Sequence, residues 1–418
     1  MNLYVRDFSR KTFKKASLCS AVCTLLLTSA QAQDGRSALD TSSTSLIPSS
    51  SSVRVVEERN ARVLVLEGGG IRGVVTLAML QRLEETTGKP AHELFHAIIG
   101  TSVGGLLTTL LSTKKPGTNE AYSAKECSEI LINESGTLFE KNQWSLDGWM
   151  GTKYLSSNLG IVCDKYIDPK TTTDQTVCPH ALMVNNTETQ RVEMLSSWGV
   201  RVFKAKDAIL ASGAMPTYFA PALIKPVSEA GVSMAQLPSY SYIDGGLGAC
   251  DPSMRGYDIV ADFFKTAEHI DVVSLGTGVA DTPRSHDSLK GLGFIGWEKI
   301  MAEIIWDAYQ YAEEDHMTRA CQNFRTKGGA YWRFDPTIPS AHAAIDNNTR
   351  ENIHTLISLT HTFLDESTDF AKLLELLKKP ISSLEMSCPN SSGGIQIVTV
   401  PFPKAGMVVA ESMDEQAA

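Results

Sequence analysis

Several things are scarce or missing in this chain, and each absence excludes something. The apolar run Ala16 to Ala30 stops short of the roughly 20 residues a spanning helix needs, so it predicts no membrane span. There is no HExxH, no EF-hand loop and no Cys/His cluster at zinc spacing beyond residue 32, so the sequence predicts no metal and no cofactor. Positive charge is in the minority: 38 Lys and Arg face 47 Asp and Glu, a formal net charge of −9. That balance argues against a nucleic-acid partner and against a purely electrostatic hold on anionic membranes. No internal repeat is visible. Eight cysteines occur, Cys19 and Cys23 among them within the first 32 residues. Cys127, Cys163, Cys178, Cys250, Cys321 and Cys388 remain, an even set that permits disulfides while fixing no pairing. None of the nine histidines stands in a glycine-rich loop at an obvious strand end.

What is present is organised around Gly100-Thr101-Ser102-Val103-Gly104, of the form G-x-S-x-G. An apolar run, Phe95 to Ile99, leads into it as the end of a strand, and Val103 to Leu111 reads as the start of a helix. A serine on so tight a strand-to-helix turn has its hydroxyl pushed out at the top of a sheet. Side chains at 100 and 104 would collide where strand and helix cross. Upstream, Val63 to Leu66 reads as a buried strand, and Glu67-Gly68-Gly69-Gly70-Ile71-Arg72-Gly73 follows it. Val74 to Thr87 then reads as a helix, stopped by Gly88. Glycines between a strand and a helix N-terminus leave N–H groups uncovered, as an oxyanion hole requires.

The same loop also satisfies G-x-G-x-x-G, the dinucleotide fingerprint. That motif expects an acid at the end of the next strand. Here the next strand ends in Gly100-Thr101-Ser102, and Glu84 and Glu85 sit on the intervening helix. The loop therefore fits an oxyanion hole feeding Ser102 better than a pyrophosphate cradle. A third piece, Tyr242-Ile243-Asp244-Gly245-Gly246, suggests a carboxylate at a strand end. Alone it reads as an ordinary Asp-Gly turn; beside the other two it reads as part of a site.

With these three pieces the chain resembles the patatin-like phospholipases, lipid acyl hydrolases with a Ser-Asp dyad, from about Val63 to about Leu377. The oxyanion loop corresponds to Gly68, Gly69, Gly70, Ile71, Arg72 and Gly73, the nucleophile elbow to Gly100, Thr101, Ser102, Val103 and Gly104, and the dyad loop to Asp244, Gly245 and Gly246. The segment Ala208 to Pro221 is similar to the family's small-residue block, and Ser274-Leu275-Gly276-Thr277-Gly278 to its later strand-end motif. Glu67 stands where the family usually has Asp, and Cys250-Asp251-Pro252 where it often has Asn-Pro. The resemblance implies an α/β three-layer sandwich with a central, mostly parallel sheet and helices on both faces. It implies Ser102 as nucleophile and Asp244 as general base and acid, acting on phospholipid or another acyl lipid at a transient membrane or micelle surface. Arg72 is left between facing a lipid phosphate and stabilising its loop by pairing with an acid.

The rest of the chain sets these pieces in order. At 418 residues and 43% apolar content it accommodates one enzyme domain with appendages. Arg6, Arg10, Lys11, Lys14 and Lys15 precede the apolar run, and Ala30-Gln31-Ala32 offers an A-x-A cleavage site. Residues 1–32 therefore read as a signal peptide, with export to the periplasm or outside the cell. Ser9-Arg10-Lys11-Thr12-Phe13 is similar to a degenerate twin-arginine signal. Residues 33–60 read as a Ser/Thr-rich flexible leader, 61–380 as the catalytic domain and 381–418 as a C-terminal extension low in helix signal. Trp144, Leu146, Trp149, Met150, Tyr154 and Leu155 form an aromatic-rich stretch, expected to pad the core, with a lip at the lipid entrance as the sharper alternative. Ala181 to Ser197 reads as two paired strands, Asp271 to Leu275 and Tyr331 to Phe334 as further strands, Ile300 to Met317 as an amphipathic helix and Ile353 to Lys379 as one or two helices. Three other readings stay open: a histidine-dependent α/β-hydrolase esterase, a dinucleotide-binding protein and a catalytically silent lipid-binding protein.

Overall fold

Alternation along the strands decides the layering. In the strand Asn60–Leu66 (β1), Leu64 and Leu66 belong to one apolar cluster and Val63 and Val65 to another, all fully buried. A strand buried on both faces must lie inside a sheet covered on both sides. The computed structural model describes residues 59–401 except 146–149, 282–283, 294–295, 298–299, 302–303, 305–313, 326–327 and 390–393. The expected signal peptide, nearly all of the expected leader, and most of the helix expected over Ile300 to Met317 lie outside the described residues.

The central sheet has eight strands. After β1 come Ala97–Thr101 (β2), His180–Asn186 (β3), Arg191–Ser196 (β4), Ala222–Ile224 (β5), Tyr240–Asp244 (β6), His269–Leu275 (β7) and Ala330–Phe334 (β8). The strands β8, β7, β1, β2 and β3 run parallel in that order, while β4 and β6 pair antiparallel with β3, and β5 antiparallel with β6. The mostly parallel sheet implied by the resemblance is therefore present, with an antiparallel end.

Helices cover the first face: Gly73–Thr87 (α1), Val103–Ser112 (α2), Ala124–Leu138 (α3), Ser156–Tyr166 (α4), Ala205–Ser212 (α5), Arg350–Glu366 (α6) and Thr368–Lys378 (α7). The second face is closed by the helix Ser253–Phe263, by a helical segment at 314–322 and by a C-terminal hairpin, Leu384–Pro389 (β9) with Ile395–Val400 (β10). Leu384, Met386, Cys388 and Val400 of that hairpin are buried in the core. Residues 382–389 and 394–400 thus complete the second layer.

Local signals explain the element ends. The helix α1 stops at Gly88, whose φ of 67° is left-handed. A capping box between Ser123 and Glu126 starts α3. The expected helical stretch after Ile353 is two helices, because Ser367 ends one and caps the next through Phe370 N–H. All six cysteines beyond residue 32 are unpaired; five are buried as small apolar groups and Cys250 is half-buried.

The aromatic-rich stretch departs from the expectation of core padding. Tyr154 is buried, but Trp144 is 91% exposed and Met150 73% exposed. Leu146 and Trp149 lie outside the described residues. The segment is tied down at its ends instead: Asn142 N–H donates to Lys153 O at 2.9 Å, and Lys153 and Tyr154 N–H donate to Thr217 O and Tyr218 O.

Candidate active site

Register brings the three sequence pieces to one end of the sheet. Leu66 pairs with Gly100 on one side and Leu275 on the other, and Leu275 with Phe334. Glu67, Thr101, Gly276 and Asp335 therefore emerge together at the carboxyl ends of four parallel strands, where open α/β sheets hold their ligands.

The meeting of Ser102 and Asp244 has a specific cause. The strand β4 occupies one edge of β3 from Ala181 to Asn186, so β2 and β6 share the other edge. On it β2 ascends and ends with Thr101 opposite Met183, while β6 descends and ends with Asp244 opposite Val184. The two strands abut end to end, and the residues at their tips face each other. Thr101 Oγ1 donates to Ala249 O at 2.7 Å, joining the elbow to the dyad loop.

Ser102 sits at φ 56°, ψ −121°, a conformation that costs a non-glycine residue about 1–3 kcal/mol. The helix α2 begins immediately after it and crosses the end of β1 so closely that a Cβ on Gly104 would lie 2.2 Å from Leu66 O. The turn is held from outside: Ser102 N–H donates to Ser212 Oγ at 3.0 Å, and Ser212 Oγ donates to Met183 O at 2.8 Å. Ser212 lies in the small-residue block, but no spacing rule marked it as the brace.

Asp244 is buried, with 1% exposure. Its Oδ1 accepts Gly246 N–H at 2.7 Å. Its Oδ2 is buried and makes no well-directed hydrogen bond among the described residues. Burial pushes its carboxyl up to about 6, and the Ser102 hydroxyl and Gly246 N–H, both donors to the ionised form, restrain that rise. A catalytic contact is often poorly aligned before substrate arrives. Asp244 is thus mainly ionised at neutral pH and has one oxygen available for the Ser102 proton.

The glycine loop is more selective than its sequence. Gly68 N–H donates to Cys250 O, Ile71 N–H to Ile345 O and Arg72 N–H to Gly69 O. Gly73 N–H is taken by Gly70 O and Ile71 O. Of the six loop residues only Gly69 and Gly70 keep N–H groups with no partner among the described residues. Gly70 has a left-handed φ of 59°, and a Cβ there would sit 2.2 Å from Ile345 O. Arg72 braces the loop: Nη1 donates to Ala343 O at 3.2 Å and Nη2 to Thr277 Oγ1 at 3.3 Å. Its hydrogen-bond partners are thus a carbonyl and a hydroxyl, and the acid near it, Asp335, acts on it through charge alone. Thr277 Oγ1 in turn donates to Gly68 O at 3.0 Å.

A cavity of about 70 Å³ opens beside Ser102 and Gly70, walled by Leu106, Leu131, Leu138, Phe139, Leu159, Ile209 and Phe219. Such a lining accepts hydrocarbon and has almost no polar group to hold a head group. Among the described residues no histidine lines it. His96 and His180 sit at the opposite end of the sheet, before β2 and at the start of β3. Each is buried, and burial lowers each to about 4. His316 and His354 are exposed on helical segments, and His342 Nδ1 meets Asn352 Oδ1 at 2.7 Å.

Residues 64–252 match the family model described as patatin-like phospholipase. A cGAMP-activated phospholipase of Vibrio cholerae is 25% identical over 358 residues, covering 77% of this chain and 96% of that protein. Patatin-like protein 2 of Arabidopsis thaliana is 25% identical over 370 residues, covering 79% of this chain and 86% of the relative. The calcium-independent phospholipase A2-gamma of Oryctolagus cuniculus is 29% identical over 244 residues, covering 53% of this chain and 29% of the relative. The stretch that carries the elbow, the glycine loop and the dyad loop, residues 64–252, is thus a patatin-like phospholipase domain.

Proposed function

We propose that the protein is a phospholipase A-type lipid acyl hydrolase that cleaves fatty acyl esters of phospholipids or neutral lipids on a Ser102–Asp244 dyad. One observation carries this reading: a strained serine at the mouth of an apolar cavity stands beside a buried carboxylate with one unsatisfied oxygen. As Ser102 Oγ attacks the ester carbonyl, its proton passes to Asp244 Oδ2. The negative charge that develops on the carbonyl oxygen is met by Gly69 and Gly70 N–H, each such donor being worth roughly 2.7–4 kcal/mol of barrier. Collapse breaks the ester bond, and the departing alkoxide takes the proton back from Asp244. Water, deprotonated by the same carboxylate, then releases the fatty acid and restores Ser102. The acyl chain lies against Leu131, Leu138 and Phe219. Exposed Trp144 and Met150 fit contact with a membrane or micelle surface.

Fluorophosphonate labelling, peptide mapping and a lipid panel read by mass spectrometry test this. The probe is expected on Ser102. Asp244→Asn is expected to fold and to lose roughly 10²–10⁴-fold in turnover, Ser102→Ala at least as much, and the double variant little more. Near-wild-type turnover of Asp244→Asn, or abolition by a single His→Gln change, would overturn the dyad. The basic leader, apolar run and Ala30-Gln31-Ala32 support export, and N-terminal sequencing should then find the mature chain starting at or near Gln33.

A further inference from the structure

We infer that Arg333 is a positioning residue for acyl transfer, holding the Gly69 and Gly70 N–H groups in place by clamping three acidic side chains, Glu67 and Asp335 at two strand ends and Asp251 just beyond the dyad loop. The inference rests on the reading of Ser102 as the nucleophile. Arg333 stands on β8, outside the span that matches the family, and its side chain is 12% exposed. Nη2 reaches Glu67 Oε2 at 3.0 Å and Asp335 Oδ2 at 2.6 Å, while Nη1 reaches Asp251 Oδ2 at 3.2 Å and Ser274 Oγ at 2.8 Å.

Each partner lies next to a support of the glycine loop. Glu67 directly precedes Gly68. Asp251 directly follows Cys250, whose carbonyl holds Gly68 N–H at 3.1 Å. Asp335 accepts Gly278 N–H at 2.7 Å, beside Thr277, whose hydroxyl holds Gly68 O. One planar fork thereby sets the relative height of β1, β7, β8 and the dyad loop, and with it the aim of the two free N–H groups. A lysine carries the same charge but is a point donor and cannot reproduce that fork.

The alternative is a buried ion cluster that only stabilises the fold. Protonation separates the two. Burial is the main reason that Glu67 is pushed up to about 8; Arg333 opposes it, and Asp335 and Asp251 reinforce it. The Cys250 thiol also faces this carboxyl, and Arg72 acts on Asp335. Glu67 therefore holds its proton to a higher pH than an exposed glutamate does. Its ionisation above pH 8 places a negative charge one residue from the loop that must receive the oxyanion.

The experiment uses the full chain and a soluble ester, with kcat, KM and fluorophosphonate labelling measured across pH 5–10. Arg333→Lys is expected to lower kcat and the labelling rate about 10²-fold, the size of a lost oxyanion donor, with KM within about threefold. Wild type is expected to lose kcat/KM above about pH 8, and Glu67→Gln to abolish that alkaline fall. Wild-type kcat in Arg333→Lys, a loss confined to KM, or an unchanged alkaline fall in Glu67→Gln would overturn the inference. If Arg333→Lys does not fold, the Glu67→Gln profile decides alone. Ser102→Ala separates the two readings: if it stays active, the nucleophile assignment fails; if it is dead while Arg333→Lys is normal, only the role of Arg333 fails.

Discussion

At the scale of single residues, Asp244 carries a cost that the proposed dyad chemistry requires. Its carboxyl is raised from the ordinary value of 3.8 to about 6, chiefly by burial. In the unfolded chain the group ionises near 3.8, so between about pH 4 and 6 the unfolded state releases a proton that the folded state still holds. Stability from this group is thus complete below pH 4, falls as pH rises to 6, and stays lower above it. The gap corresponds to about 3 kcal/mol. Asp244→Asn is accordingly expected to unfold at a higher temperature than wild type at pH 8, by up to about 3 kcal/mol in stability, with the advantage vanishing near pH 4. Thermal unfolding followed by circular dichroism at the two pH values checks this; an Asn variant less stable than wild type at pH 8 would contradict it. Under the proposed mechanism the same ionisation is expected to give kcat/KM an acid limb near pH 6, because there the carboxylate would accept the Ser102 proton. Both residues were legible in the sequence because a strained or close-packed turn needs glycine, and glycine clusters are visible. Ser212 and Arg333 were not, since a serine in a helix and an arginine in a strand look like many others.

At the scale of elements, the elbow depends on the helix beside it. The helix α5 delivers Ser212 to the junction of β2, β3 and α2, where its hydroxyl links Ser102 N–H to Met183 O. Ser212→Ala would leave both groups without that partner, at a cost of about 1–3 kcal/mol. It would also remove what holds Ser102 at positive φ. The expected outcome is a folded protein of lower melting temperature whose fluorophosphonate labelling slows more than its KM changes. Unaltered labelling at a lowered melting temperature would assign Ser212 to stability alone. Element identity was largely readable here: β1, β2 and α1 follow from apolar runs and glycine stops. The exposure of Trp144 and Met150 was not, because an aromatic cluster reads alike in a core and on a lip until the backbone bonds from Lys153 and Tyr154 to the loop after Met215 pin its base at the surface.

At the scale of the whole molecule, the C-terminal hairpin closes the second face. It buries Leu384, Met386, Cys388 and Val400 against the central sheet's far side, and Ser382 O meets the ring of buried His96 at 2.8 Å. Burying a large apolar side chain is worth about 1.5–3 kcal/mol, and a domain holds only about 5–15 kcal/mol in total. Truncation after Lys379 is therefore expected to abolish cooperative unfolding or to leave an aggregating product, measured by calorimetry and size exclusion. A truncated chain that melts like the parent would show the hairpin to be an accessory.

The sequence by itself determined the chemistry on offer: a serine on a G-x-S-x-G turn, an aspartate before two glycines, and a glycine-rich loop ahead of a helix. These are local demands of backbone conformation, so local spacing records them. Only the tertiary structure decided that Ser102 and Asp244 meet, because an ascending β2 and a descending β6 share one edge of β3 and stop against each other. It also narrowed six candidate donors to Gly69 and Gly70, by spending the others on Cys250, Ile345 and the loop itself. Strand direction and hydrogen-bond partners are set by residues distant in the chain, and no local pattern carries them.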